Sequence, residues 1–208
     1  MPSPVIVTIS RQPGCGGLEI GQRLARRLSA SYIDKKTVAK AADAYDAALD
    51  ESQDAKQKSH FWEMLCKTPI LQDFESYIPE MRSVVSDCMV HEREAEILEE
   101  LVDENSAVVV GRCGFHRLRD RKNAVHISLC GDQEYRLKNY MYIFGLDRES
   151  AESLLLETDE ATERYIRRIS GKDMFDLRNF DLTLNVSKLD FNCVVEMILD
   201  YIHYRFEH

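Results

Sequence analysis

No two cysteines in this chain have C-x-x-C spacing, and no apolar run approaches the roughly 20 residues needed to span a bilayer. The six cysteines (Cys15, Cys66, Cys88, Cys113, Cys130, Cys193) are scattered. That spacing argues against a zinc site or a disulfide framework and for reduced thiols in a cytoplasmic protein. MPSPVIVTIS has no basic segment ahead of its apolar run, so no signal peptide is expected, and the absence of long apolar runs points away from a membrane. Positive charge is also short: 27 basic against 36 acidic side chains give a formal net charge of −9. An acidic chain is a poor binder of polyanions, which excludes nucleic acid as the expected partner. What basic charge there is gathers around 112–121 and 164–178, a distribution suited to a small phosphorylated ligand; solvated surface charge is the plainer alternative.

What the chain does have begins at its N-terminus. Val5 to Ile9 is a β-branched apolar run of buried-strand type, followed by a loop with Gly14, Gly16 and Gly17. A helical pattern with Ile20, Leu24 and Leu28 on one face comes next. Strand, glycine-rich turn and helix N-terminus together form an anion site, because backbone N–H groups and the positive end of the helix dipole converge. The usual ending of a phosphate loop, G-K-[ST], is missing. A tight turn with no ligand is the competing reading.

Periodicity predicts the remaining elements. Ser31–Ile33, Ala107–Val110, Ala124–Leu129 and Leu182–Val186 read as strands, and Thr37–Leu49 and Glu80–Asp103 as helices. Asp50–His60 is polar and aperiodic, apolar character returns at Phe61–Leu65, and the stretch on to Pro79 carries no assignable pattern. Asp132 is expected to cap a helix ended by Gly145, Asp147 a short helix, and Thr158 or Asp159 a further one. Phe191–Ile202 is a strong amphipathic helix. The apolar face of the 80–103 helix serves equally for core packing or for a homodimer. Strands alternating with helices, with no hairpin turns, imply about five parallel strands covered on both faces, a three-layer α/β sandwich. Ligands in such sheets bind beyond the carboxyl ends of the strands. Asp34 and Gly111-Arg112 therefore share a rim with the glycine loop. Arg112 could grip a phosphate bidentately, and Asp34 either accepts from a ribose or base or caps the next helix.

Several ordered motifs together resemble one family: VTISRQPGCGGLEIG, Y-I-D-K after the second strand, VVVGRC in the middle, and G-K-D…N-F-D-L-T-L-N-V-S-K-L near the end. They are similar to the cytidylate kinase-like proteins, relatives of bacterial cytidylate kinase within the P-loop nucleoside monophosphate kinases. The resemblance covers nearly the whole chain, 1–208, as one P-loop kinase-like domain. It is weakest over 46–79 and implies a helical acceptor-binding region near 35–104 and a lid near 158–178. It also implies small-molecule nucleotides as partners, with ATP and nucleotide-bound Mg2+ as cofactors and no protein metal site.

The same resemblance assigns roles by position. Arg11, Gly14, Cys15, Gly16, Gly17, Leu18 and Glu19 form the phosphate loop. Gly17 falls where kinases of this class carry lysine, and Leu18 where the kinase-like branch commonly carries arginine. The loop thus lacks both cations, and Arg11 is the nearest one left. Glu19, at the usual threonine position, would repel phosphate unless Mg2+ or an arginine intervenes or it turns toward its own helix. Asp34 and Arg112 belong to the acceptor site, with Cys113 in place of the family's aspartate. Arg164, Arg167, Arg168 and Lys172 form the lid, and Arg112, Arg164 and Arg168 are the catalytic candidates. Asn185, Ser187 and Lys188 would lie near the base or ribose. The expected activity is transfer of the ATP γ-phosphoryl group to a (d)CMP-type acceptor. A degraded nucleotide-binding module and a kinase for another small metabolite stand beside it.

Overall fold

The computed structural model describes residues 4–41, 88–102 and 105–206. Five strands, all parallel, form one sheet: β1 (Ile6–Arg11), β2 (Ser31–Ile33), β3 (Ala107–Val110), β4 (Ala124–Cys130) and β5 (Leu182–Asn185), in spatial order β2-β3-β1-β4-β5. This is the expected sheet. β1 lies at its centre, with Ile9 paired to Val110 of β3 and Arg11 to Leu129 of β4. The chain order reverses on either side of β1, so the crevice beyond its carboxyl end is the natural ligand position.

Alternation along β1 divides the core. Val5, Val7 and Ile9 pack with Ile20 and Leu24 of α1 (Gly17–Leu28) and with Val194, Val195 and Ile198 of the last helix. Ile6 faces the other side, joining Ile33, Val38, Ala41, Ile97, Leu98 and Leu101. Gly21 lets α1 approach closely, since a Cβ there would stand 2.5 Å from Val110 Cγ2. Ser29, in the left-handed region at φ 50°, ends α1 by donating its N–H to Arg26 O, and Ala30 N donates back to Ala25 O.

A second helix, α2, starts at 35 and is described to 41; α3 (Cys88–Val102) precedes β3, and the single-turn α4 (Gly114–Arg117) follows it. The predicted course to Leu49, the connection 50–60, the apolar return at Phe61–Leu65, the stretch to Pro79 and the start at Glu80 lie outside the described residues. Between β4 and β5 run α5 (Gln133–Phe144) and α6 (Arg148–Ser170), and α7 (Phe191–Phe206) closes the chain one turn beyond its expected end. Gly145 ends α5 in the left-handed conformation, as its sequence position implies.

Two local expectations are corrected. Asp132 occupies the N-cap position of α5, but its side chain turns to Asn185 instead of capping. The two short helices expected over 147–169 are one helix of 23 residues. Asp147 caps it, accepting from Ser150 N at 2.9 Å. Thr158 does not start a new helix, because its hydroxyl bonds back to Leu154 O at 2.7 Å, and Thr162 bonds to Thr158 O at 2.8 Å in the same way. No helix among the described residues is long and apolar enough to cross a membrane.

Candidate active site

The glycine loop is held from three directions. Gln12 N donates to Leu129 O at 3.0 Å, and Gln12 Oε1 accepts from Gly131 N at 3.1 Å. From α5, Asn139 Nδ2 donates to Gly14 O at 2.7 Å and Arg136 Nη1 to Pro13 O at 3.3 Å. Inside the turn the Cys15 side chain is fully buried, and burial pushes its thiol up to about 12. It is a packed neutral group and no nucleophile. With its carbonyls taken up by α5, the loop is fixed before any ligand arrives.

Two glycines are obligatory in this turn. Gly14 and Gly16 lie at φ 83° and 69°, where a side chain is strained. A Cβ on Gly16 would also stand 2.2 Å from the Phe191 ring. Gly16 is the N-cap of α1 and no side chain caps the helix. The amides of its first turn, Gly17, Leu18 and Glu19, have no partner within the helix by construction. An anion is the partner such a turn accepts best. Leu18 packs against the α1/α7 side of the core. Glu19 pairs with Arg23 one turn along α1, and Arg23 also reaches Asn192 Oδ1 at 2.6 Å. The carboxylate is thereby drawn along its own helix.

Across the crevice, β3 ends in Gly111, Arg112 and Cys113, all left-handed at φ 80°, 53° and 54°. Two consecutive non-glycine residues in that region hold strain of order 1–3 kcal/mol each. The turn is pinned by Gly114 N on Gly111 O and by Arg117 Nε on Arg112 O. It sends the Arg112 guanidinium over the Tyr165 ring of α6, 5.4 Å from the centroid. Burial pulls the Arg112 pKa below the ordinary arginine value, and the charges of Arg117 and Arg11 act in the same direction, against Tyr165. Cys113 packs with Phe115, Ile166 and Met174, and burial pushes its thiol up to about 11. Beside Arg112 lies a small cleft lined by Ser10, Arg11, the Gly111–Phe115 turn and, from α6, Thr162, Tyr165 and Ile166.

The other expected site residues lie elsewhere. Asp34 caps α2, its Oδ1 accepting from Thr37 N at 2.9 Å and Thr37 Oγ1 at 3.1 Å. Arg164, Arg167 and Arg168 are exposed on α6 and do not line the cleft; Arg164 pairs with Glu160 at 3.2 Å and Arg167 with Asp173 at 4.0 Å. Lys172 Nζ stands 5.8 Å from the Phe115 ring. Asn185 Nδ2 donates to Asp132 Oδ1 at 3.0 Å, Ser187 Oγ accepts from Asp132 N at 2.6 Å, and Lys188 is exposed. The structure thus brings together Arg11, the loop and Arg112, and leaves the α6 cations and the 185–188 turn outside that cleft.

Sequence reading misses the pair that steadies the loop. Arg136 is buried and its Nη1 meets Asp159 Oδ1 at 2.8 Å and Oδ2 at 2.9 Å. Its signal was present as a cation beside Leu137 and Tyr140 on the buried face of α5. Thr162 and Tyr165 were likewise hidden among the more conspicuous arginines of α6.

The chain is similar in structure to an uncharacterized protein from Eubacterium ventriosum ATCC 27560, with TM-score 0.70 and 20% identity over 95% of this chain and 98% of that one. It is also similar to a shikimate kinase from Bacteroides thetaiotaomicron (TM-score 0.52, 11% identity, 98% and 99% covered) and a gluconokinase from Sinorhizobium meliloti 1021 (TM-score 0.52, 15% identity, 100% and 96% covered). At such identities these likenesses speak for the fold, that of P-loop kinases. Among curated protein sequences none matches the chain. The family model described as the cytidylate kinase-like family matches residues 6–188, from the first strand through the 185–188 turn, and the chain belongs to that family.

Proposed function

We propose that this chain binds ATP at the glycine loop and transfers the γ-phosphoryl group to a (d)CMP-type nucleoside monophosphate held by Arg112. The observation that carries the reading is the pairing of an uncapped α1 N-terminus with a half-buried arginine that lines the adjoining cleft. The cradle fits a phosphate tail: Gly14 and Gly16 hold the left-handed turn, and the amides of Gly16, Gly17 and Leu18 would hold the phosphates. Mg2+ would come with the nucleotide, where it neutralises phosphate charge. Arg164, Arg167 or Arg168 would reach the transferring group when α6 closes, and Asn185, Ser187 and Lys188 border the base and ribose. Phosphoryl transfer needs position and charge neutralisation more than a covalent catalyst.

The test is an ADP-release assay with Mg-ATP across CMP, dCMP, UMP and AMP, widened to shikimate and gluconate because kinases for other small metabolites share this fold. Turnover with a pyrimidine monophosphate is expected. No turnover with any acceptor, at an enzyme concentration that would reveal a roughly 10³-fold slower enzyme, overturns the activity.

One observation favours a second reading. Gly17 and Leu18 leave the start of α1 without a cation, and Leu18 is committed to the core. A chain that binds nucleotide without turning it over would be a regulatory module. Calorimetry showing ATP binding alongside absent turnover selects that reading.

A further inference from the structure

The side chain of Arg11 runs where a residue at the start of α1 would otherwise project. A Cβ placed on Gly17 would stand 2.8 Å from Arg11 Cγ, 3.0 Å from its Cβ and 3.2 Å from its Cδ. The far end of the same side chain reaches the opposite rim, where a Cβ on Gly111 would stand 2.6 Å from Nη1 and 3.3 Å from Cζ. Arg11 therefore bridges two glycines, one on each side of the crevice, and neither can carry a side chain without displacing it. Among the described residues no hydrogen bond or ion pair to a carboxylate engages its guanidinium, and Arg11 lines the same cleft as Arg112.

In phosphate loops of the usual pattern the cation is a lysine at the first helical residue, reaching the β- and γ-phosphates. Gly17 is that residue here. We propose that Arg11 is the phosphate cation of this loop, supplied from the end of β1, with Gly17 and Gly111 bare so that it can pass. Its stem passes Gly17 at the start of α1 and its guanidinium lies beside Gly111, where one fork can hold the terminal phosphate of the bound nucleotide while Arg112 holds the acceptor's. A planar fork of fixed geometry suits two-pronged phosphate contact better than an ammonium on a flexible stem. Two arginines lining one cleft repel each other and favour a polyanionic ligand between them. The inference rests on the nucleotide reading above and concerns which residue supplies the charge.

The test is calorimetry of Mg-ATP, ADP and AMP binding to the full chain and five variants, with circular dichroism checking that each is folded. Arg11→Gln is expected to weaken ATP by 10- to 100-fold and AMP by less than threefold, so that the preference for the longer phosphate tail collapses. Arg11→Lys should recover part of the loss. Gly17→Lys alone should weaken ATP, because its Cβ drives Arg11 aside. The double variant Gly17→Lys, Arg11→Ala removes that overlap and restores the cation at the usual position, so it should bind ATP at least tenfold more tightly than Arg11→Ala. Wild-type chain that binds no nucleotide overturns the nucleotide reading as a whole. Wild-type chain that binds ATP, with folded Arg11→Gln binding it equally well, overturns the role of Arg11 alone. A double variant no better than Arg11→Ala also overturns it.

Discussion

The glycine loop and helix α6 face the same crevice and are built in opposite ways. The loop meets the crevice through Arg11, and its shape is fixed by Gln12, Asn139 and Arg136 before any ligand binds. α6 presents Thr162, Tyr165 and Ile166 to the cleft and keeps Arg164, Arg167 and Arg168 exposed, two of them paired with acids of their own segment. The first region is preorganised, so damage to it should cost folding and binding together. The exposed arginines of the second can contribute only through what they reach on movement, so removing one of them should spare the fold.

The largest effect is expected at Gly16. Valine there combines a left-handed backbone with overlap of the Phe191 ring. Strain of about 1–3 kcal/mol and overpacking of about 1–3 kcal/mol make a loss of roughly 2–6 kcal/mol. Urea denaturation should show that loss, and calorimetry should show no ATP binding. Adding Phe191→Ala should return the steric part only. A Gly16→Val protein of wild-type stability would show that the turn is not held as described.

Next comes Asp159→Asn, which leaves the buried Arg136 facing an amide. Removing one member of a buried pair costs about 3–5 kcal/mol. Because Asp159 is 23% exposed, the expected loss lies at or below the low end, about 2–3 kcal/mol. The loop should loosen with it, so ATP affinity should fall although Asp159 is not expected to touch nucleotide. Unchanged affinity in a destabilised protein would separate α5 from the loop.

The contrast also explains what could be read from the sequence. β1, β3 and β4 were legible because continuous β-branched runs such as VVVG and AVHISL have only one reading in a parallel sheet. The loop was legible from three closely spaced glycines and the apolar helix behind them. The course of Arg11 was not, because it depends on two glycines 94 positions apart, Gly17 and Gly111, meeting across the crevice. The Arg136–Asp159 pair joins two helices, and neither residue breaks the pattern of its own segment enough to announce the other. The continuity of α6 was hidden because Thr158 and Asp159 resemble a helix start. Their tertiary setting decides otherwise: the threonine hydroxyl bonds backwards, and the aspartate is taken by Arg136.

A smaller effect should appear with pH at the face of the sheet opposite α1. His126 on β4 holds Thr8 Oγ1 through Nδ1 at 2.8 Å, and Asp181 Oδ2 accepts from its backbone N–H at 2.7 Å. Burial lowers its pKa, with Arg205 and Lys172 adding to the shift and Asp181 opposing it. A pKa lower in the folded than in the unfolded state contributes stability above the unfolded value and loses it as pH falls through the folded one. Stability should therefore decline from about pH 6.5 downward, starting at the unfolded histidine value. His126→Gln should flatten that part of the profile in denaturation at pH 5 to 7. An equally steep decline in the variant would place the acid sensitivity on another group, His116 first, whose pKa burial also lowers.

The smallest structural effect is expected at Arg164, and it decides what α6 is for. Arg164 and its partner Glu160 are 62% and 58% exposed. Exposed pairs one turn apart contribute about 0.3–0.5 kcal/mol, so Arg164→Ala should leave the urea midpoint nearly unmoved and ATP affinity within about twofold. Turnover is the discriminating measurement. An arginine that meets the phosphoryl group only when the helix closes contributes to kcat and to nothing measurable in the open protein. A fall in kcat of tenfold or more with unchanged stability and affinity would mark α6 as a moving element, opposite in design to the loop. Unchanged kcat would assign Arg164 to Glu160 alone, and would leave Arg112 and the cation beneath Gly17 as the charges this site brings to phosphate.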